Sequence, residues 1–295
     1  MVFRTPVDIP EPPFKILPCE PLLFVGSCFA DNIGQRFREE GFPVTVNPVG
    51  TMYNPASVLH TIERITQREL PPSPAPPSAS LLPSPAAVST DFTAVPASLV
   101  FLTLGTNHIY RLKETGAIVD NCEKRPQSLF TEEILSVDEC ATYLSQTIDT
   151  LRQWNPDVRI VFTVSPIRYR KYGYHESQLS KATLLLAVEE FRDHPCSSVA
   201  YFPAYEIMMD ELRDYHFYAP DMLHPSQQAV EYLWERLVDT MFSDAAKAFL
   251  DEWRPLKQIL AHKPFNPDSE EYRALIDKTM LKVNELRKKY RNFAL

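Results

Sequence analysis

Three apolar runs in this chain each stop at a turn, and this most limits what it can fold into. Leu22–Val25 ends in Gly26, Leu99–Leu104 ends in Gly105, and the run from Arg159 to Val164 ends in Ser165-Pro166. Short apolar runs without polar alternation are the pattern of strands buried on both faces. Between them the period changes. Phe29, Ile33 and Phe37 recur every four positions, predicting a helix over Phe29–Glu40 that Gly41 would end as a C′ glycine. Further helices are expected over Pro55–Arg68, Thr131–Trp154, Glu176–His194 (with Leu179, Thr183, Leu186 and Phe191 near one stripe) and Ser226–Phe242. Val44–Val46 and Val199–Phe202 read as short strands. Strands alternating with helices imply right-handed βαβ units, hence an α/β protein with a parallel sheet covered on both faces. Such sheets bind ligands beyond the carboxyl ends of their strands. Attention therefore falls on Ser27, Gly50, Gly105–Asn107 and Ser165–Arg168.

With 295 residues, 44% of them hydrophobic, the chain can bury a sizeable core. We expect one main domain over 1–245 and a C-terminal helical extension over 246–295, with an amphipathic helix at Tyr272–Tyr290. Residues 71–98, dense in Pro, Ser and Ala, suit neither helix nor central strand and read as an extended linker. The net charge of −8 argues against nucleic acid as a partner. The basic run Arg287-Lys288-Lys289 is explained as cations on a helix C-terminus. Cys19, Cys28, Cys122, Cys140 and Cys196 are odd in number and lack metal-ligand spacing, so reduced thiols in a cytoplasmic protein, with no metal and no cofactor, are expected. The opening residues lack the apolar stretch of a signal peptide, and no run is long enough for a membrane span.

The chemistry is sought where the strands end. Ser27 stands between a strand and a helix, where its hydroxyl could act as a nucleophile and its amide could face an oxyanion; its other role would be to cap that helix. A serine needs a base. Asp221-Met222-Leu223-His224-Pro225-Ser226 offers one: an Asp three residues before a His can fold back and fix the imidazole tautomer, leaving the far nitrogen for the serine proton. Gly50 could give a backbone amide and Asn107 a side-chain amide to the oxyanion; otherwise they are a turn glycine and a loop asparagine. Cys28, beside Ser27, is a conceivable nucleophile, but its side chain is expected to point into the core. Arg168 could clamp an anionic substrate group, or lie on the surface. His108 could contact substrate, or belong to a loop. Lys181 is expected to pair with solvent or a glutamate.

Phe24-Val25-Gly26-Ser27-Cys28-Phe29-Ala30 resembles the signature that names the GSCFA family, within the SGNH/GDSL hydrolase superfamily. Similar stretches follow in order: Asn47–Pro55, Leu102–Thr106, Thr163–Arg168, Ser180–Ala182, Tyr205–Leu212 and Asp221–Ser226. The likeness spans roughly residues 1 to 245 apart from the linker, where the family carries a segment rich in Trp, His and Phe. It implies a flavodoxin-like three-layer α/β/α sandwich of about five parallel strands. It also implies roles by position: Ser27 as nucleophile, Asp221 and His224 as its acid–base partners, and Ser27, Gly50 and Asn107 as the oxyanion hole. The expected function is hydrolysis of carboxylic esters, of a small molecule or a carbohydrate, through an acyl-enzyme. Two other readings remain open: a binding protein that keeps the fold without efficient catalysis, and an O-acyltransferase. Labelling by a fluorophosphonate separates the first from an enzyme, and alcohol acceptors tested beside water separate the second from a hydrolase.

Overall fold

The computed structural model describes residues 5–66, 97–120, 122, 125–192, 198–266 and 269–295. Most of the expected 71–98 linker, and Cys196, lie outside the described residues. Strands β1 (Leu22–Gly26), β2 (Val44–Val46), β3 (Leu99–Leu104), β7 (Arg159–Val164) and β8 (Val199–Tyr201) form one parallel sheet in the order β2-β1-β3-β7-β8. β1 and β3 are buried along their whole length, as their uninterrupted apolar sequences require. Helices α1 (Cys28–Glu39), α2 (Pro55–Thr66), α3 (Val137–Trp154), α4 (Tyr174–Glu189) and α6 (Gln227–Met241) flank the sheet, with a short α5 (Ala204–Glu206) that runs on as a π-turn through Ile207–Glu211. The two sheet faces bury two separate apolar clusters. One holds Phe24, Phe37, Phe101 and Trp234; the other holds Val25, Ile62, Leu102, Leu144 and Phe162.

Two expected elements differ. The helix predicted over Thr131–Trp154 begins only at Val137; Phe130–Ile134 is instead strand β6. It pairs antiparallel with β4 (His108–Leu112), which also pairs with β5 (Ile118–Val119), making a small second sheet. The start of α3 is set by a capping box, with the Ser136 hydroxyl accepting from the Glu139 amide and the Glu139 carboxylate accepting from the Ser136 amide. On α4 the predicted stripe faces outward: Leu179 and Leu186 are exposed, and the buried face carries Ser177, Ser180, Lys181, Leu184, Ala187 and Val188.

Residues 246–295 form α7 (Asp244–Ala261, which starts just before them) and α8 (Glu270–Lys289), the latter closing on Arg287, Lys288 and Lys289 in its last turn. Their apolar side chains Phe249, Trp253, Val283 and Leu286 join the cluster that contains Phe24 and Phe37. Beyond α8, Phe293 packs its ring against Phe249 and Trp253, and the Ala294 amide donates to the Gly41 carbonyl at 2.9 Å. Gly41 has φ +80°, and a Cβ there would lie 2.1 Å from the Phe293 ring. The C-terminal end of α1 is thus covered by residues more than two hundred positions downstream.

Candidate active site

β1 delivers the chain to the sheet edge through Gly26. Its φ is +142°, and a Cβ would lie 2.1 Å from the Thr103 carbonyl oxygen, so only glycine allows β1 to run this close to β3. The Gly26 amide donates to Asn47 Oδ1 at 2.9 Å, and Asn47 Nδ2 donates to Asp31 Oδ1 at 2.8 Å. Ser27 then takes the N-cap position of α1, with extended backbone. It is fully buried, and its hydroxyl oxygen accepts from the Phe29 amide at 3.3 Å. Its own amide donates to the Thr103 carbonyl at 3.0 Å.

The residue that reaches His224 is the next one. Cys28 Sγ lies 3.5 Å from His224 Nε2, and His224 Nδ1 lies 2.5 Å from Asp221 Oδ2. A carboxylate only accepts, so Nδ1 carries the proton and Nε2 is left to accept from the thiol. Asp221 also accepts at Oδ1 from the Leu223 and His224 amides at 2.9 and 3.0 Å, the fold-back expected of Asp-x-x-His. Those two amides, with the imidazole, hold its carboxyl down to about 2. The Cys28 thiol is pushed up, chiefly by burial, with the Asp31 and Asp221 carboxylates adding to the rise; its own amide and the Lys181 ammonium oppose it. A thiol raised in this way rests protonated.

Ser27 is expected to face His224 and Cys28 to point into the core; the contact with the imidazole is made by Cys28 Sγ, and that with the Phe29 amide by Ser27 Oγ. The signal lay in the cap itself. A capping serine commits its oxygen to an amide of the first turn, and the first helical residue is the one left facing the strand edge. The expected oxyanion donors are also engaged elsewhere. The Gly50 amide donates to Asn47 O at 2.9 Å within its own exposed turn. Asn107 is buried and donates Nδ2 to the Leu135 carbonyl at 2.7 Å, tying the start of β4 to the end of β6. The amide of Cys28, at the start of α1, lies against its own sulfur.

Lys181, expected to meet solvent or a glutamate, is buried under the site. Nζ donates to the carbonyls of Gly105 and Ser165, both at 2.7 Å, at the ends of β3 and β7. Burial brings its ammonium down to about 7. The Tyr169 hydroxyl is buried without a partner and sits over Gly105, where a Cβ would lie 2.2 Å from it. Tyr53 packs edge-on to Tyr169 and keeps 38% of its surface exposed. His108 is not a free contact: it is buried, stacked on Tyr172 at 3.7 Å, with Nδ1 2.8 Å from Glu132 Oε1. Arg168 donates to Met222 O and lies among three tyrosine rings. Among the described residues no three or more His, Cys, Asp or Glu side chains gather as a metal site, and no helix is long and apolar enough to cross a membrane. A cleft of about 330 Å³ lined by Arg36, Glu231, Trp234 and Arg254 lies toward the far end of α1 and has no Ser or Cys among its lining residues.

Fold and site together define an α/β protein with a thiol–imidazole–carboxylate array at the carboxyl edge of a five-stranded parallel sheet. The chain belongs to the GSCFA family: the profile described as "GSCFA family" matches residues 21–73 and 86–237, and "GSCFA domain protein, C-terminal domain" matches 253–295. No curated protein matches it. Among solved structures it is similar to a member of the lipolytic protein G-D-S-L family from Veillonella parvula (10% identity, TM-score 0.44, covering 75% of this chain and 97% of that one). It is also similar to family 3 carbohydrate esterases from Clostridium thermocellum (12%, 0.40, 75% and 96%) and Talaromyces cellulolyticus (9%, 0.39, 79% and 99%).

Proposed function

We propose that this protein hydrolyses carboxylic esters through a thioester acyl-enzyme on Cys28, with His224 as general base and acid and Asp221 as its orienting partner. The observation that carries this reading is the continuous line from the Cys28 thiol through the His224 ring to the Asp221 carboxylate, 3.5 and 2.5 Å per link. Nε2 takes the thiol proton as sulfur attacks the carbonyl carbon. The oxyanion forms beside the Cys28 amide at the positive end of α1, which supports negative charge. The imidazolium then gives its proton to the departing alcohol, and the C–O bond breaks to leave the thioester. Water, deprotonated by the same Nε2, adds to the thioester. The acid leaves, and the thiol regains its proton.

Tyr53, edge-on to Tyr169, keeps part of its ring surface open to solvent, which suits a sugar ring or another ring-bearing alcohol as the leaving part of the ester. A nucleophilic thiol works only while reduced, which favours the cytoplasm. Replacing water by an alcohol in the second half would make the same site an O-acyltransferase.

The test is covalent. The protein is exposed to a short-chain aryl ester, quenched in acid, and its acyl adduct mapped by peptide mass. An adduct on Cys28, released by hydroxylamine at neutral pH, is expected. An adduct on Ser27, or fluorophosphonate labelling of Ser27, would return the nucleophile to the serine. No adduct with either reagent would leave a binding protein on this fold.

A further inference from the structure

We propose that Arg168 is a positioning residue, which holds the loop carrying Asp221 and His224 at the distance where Nε2 meets the Cys28 thiol; this rests on the role given above to that thiol–imidazole pair. The loop has few other anchors. Asp221 and His224 keep 45% and 43% of their side-chain surface exposed. The bonds within the loop are local: Ala219 N to His224 O, Met222 N to Ala219 O, and Asp221 Oδ1 to the two amides that follow. These fix its shape but not its place. Apart from the Cys28 contact, the hydrogen bonds that join 219–224 to another part of the fold, among the described residues, come from Arg168. Its amide donates to Leu223 O at 3.1 Å, and one guanidinium nitrogen donates to Met222 O at 3.0 Å. Met222 has φ +60°, so the carbonyl to which Arg168 donates belongs to the residue at which the loop reverses.

Arg168 is itself well placed to act as an anchor. It follows β7 by way of the buried residue Ile167. Its guanidinium carbon lies 4.2 Å from the ring centre of Tyr174, 5.4 Å from that of Tyr218 and 5.7 Å from that of Tyr215. These rings come from α4 and from the segment leading into the loop. A guanidinium can stack its face on rings while its edge donates to a carbonyl, which an ammonium cannot do with the same geometry. The group expected to clamp a substrate anion is thus occupied with its own protein on both face and edge.

The experiment measures how fast iodoacetamide alkylates Cys28 in the full chain, beside aryl-ester turnover. His224→Ala sets the rate without the imidazole. Arg168→Ala should lower Cys28 alkylation at neutral pH by about tenfold or more, the scale on which a misplaced catalytic group loses rate. It should lower kcat more than it raises KM, and added guanidinium ion should restore part of the loss. Arg168→Lys should lie between. In the His224→Ala background Arg168→Ala should have no further effect, because Arg168 acts only through the ring. Alkylation within twofold of the parent in Arg168→Ala, or an equal loss in both backgrounds, overturns the proposal while the thiol–imidazole reading stands. An unchanged rate in His224→Ala itself overturns both.

Discussion

Cys28 and His224 meet across 196 positions of sequence, Sγ to Nε2 at 3.5 Å, while the neighbouring Ser27 hydroxyl is bound to the helix it caps. Two residues that share a peptide bond therefore differ in contact, one against the imidazole and one against its own helix. Cys28→Ala should abolish ester turnover, a loss of about a thousandfold or more. Ser27→Ala should keep turnover within about tenfold and cost about 1 kcal/mol of stability for the lost cap. Steady-state kinetics and thermal melting on both variants check this; the opposite ranking would restore the serine.

The thiol's environment sets a pH profile. Burial and the Asp31 and Asp221 carboxylates move Cys28 above its ordinary value of 9.0. A thiol so raised forms thiolate later as pH climbs. In His224→Ala, alkylation of Cys28 should therefore still be rising at a pH where a free cysteine has already levelled off. Asp31→Asn removes one of the opposing charges and should shift that profile toward lower pH. A profile that moves the other way would show that Asp31 does not act on the sulfur.

Gly105 and Tyr169 should be coupled. A Cβ at Gly105 would meet the Tyr169 hydroxyl at 2.2 Å and the Tyr53 carbonyl at 3.1 Å. Gly105→Ala should then cost about 2 kcal/mol by overpacking. Tyr169→Phe removes a buried hydroxyl that has no partner and should be neutral or slightly stabilising. The double variant should recover at least half of the Gly105→Ala loss in chemical denaturation; strict additivity would refute the contact.

Phe293 should matter as much as a residue of the central core. It packs on Phe249, Trp253 and the open face of Gly41. Phe293→Ala should cost about 3 kcal/mol, and the melt should remain a single transition. An early separate transition for 246–295 would mean that α7 and α8 unfold on their own.

Much of this was legible in the sequence where one local rule sufficed. β1, β3 and β7 could be read because a strand buried on both faces needs no partner-dependent pattern. The Asp221–His224 fold-back was legible because three residues fix its geometry. What escaped depended on contacts across the chain. β6 took Phe130–Ile134 because β4 offered it a ladder, although the capping box at Ser136 already marked where the helix had to start. Leu179 and Leu186 follow a helical period yet face outward, because the sheet-facing side of α4 is given to Ser180 and Lys181, which serve the strand ends. Which of Ser27 and Cys28 meets the imidazole turned on a single residue of register at the start of α1.

The seal that Phe293 and Ala294 place on Gly41 has a consequence for the timing of assembly. Helix α1 presents the thiol at one end and receives those distant residues at the other. On the ribosome the five strands and the His224 loop emerge well before position 293 does. Until then the helix bearing Cys28 has a bare end, and the thiol sits on a scaffold not yet closed.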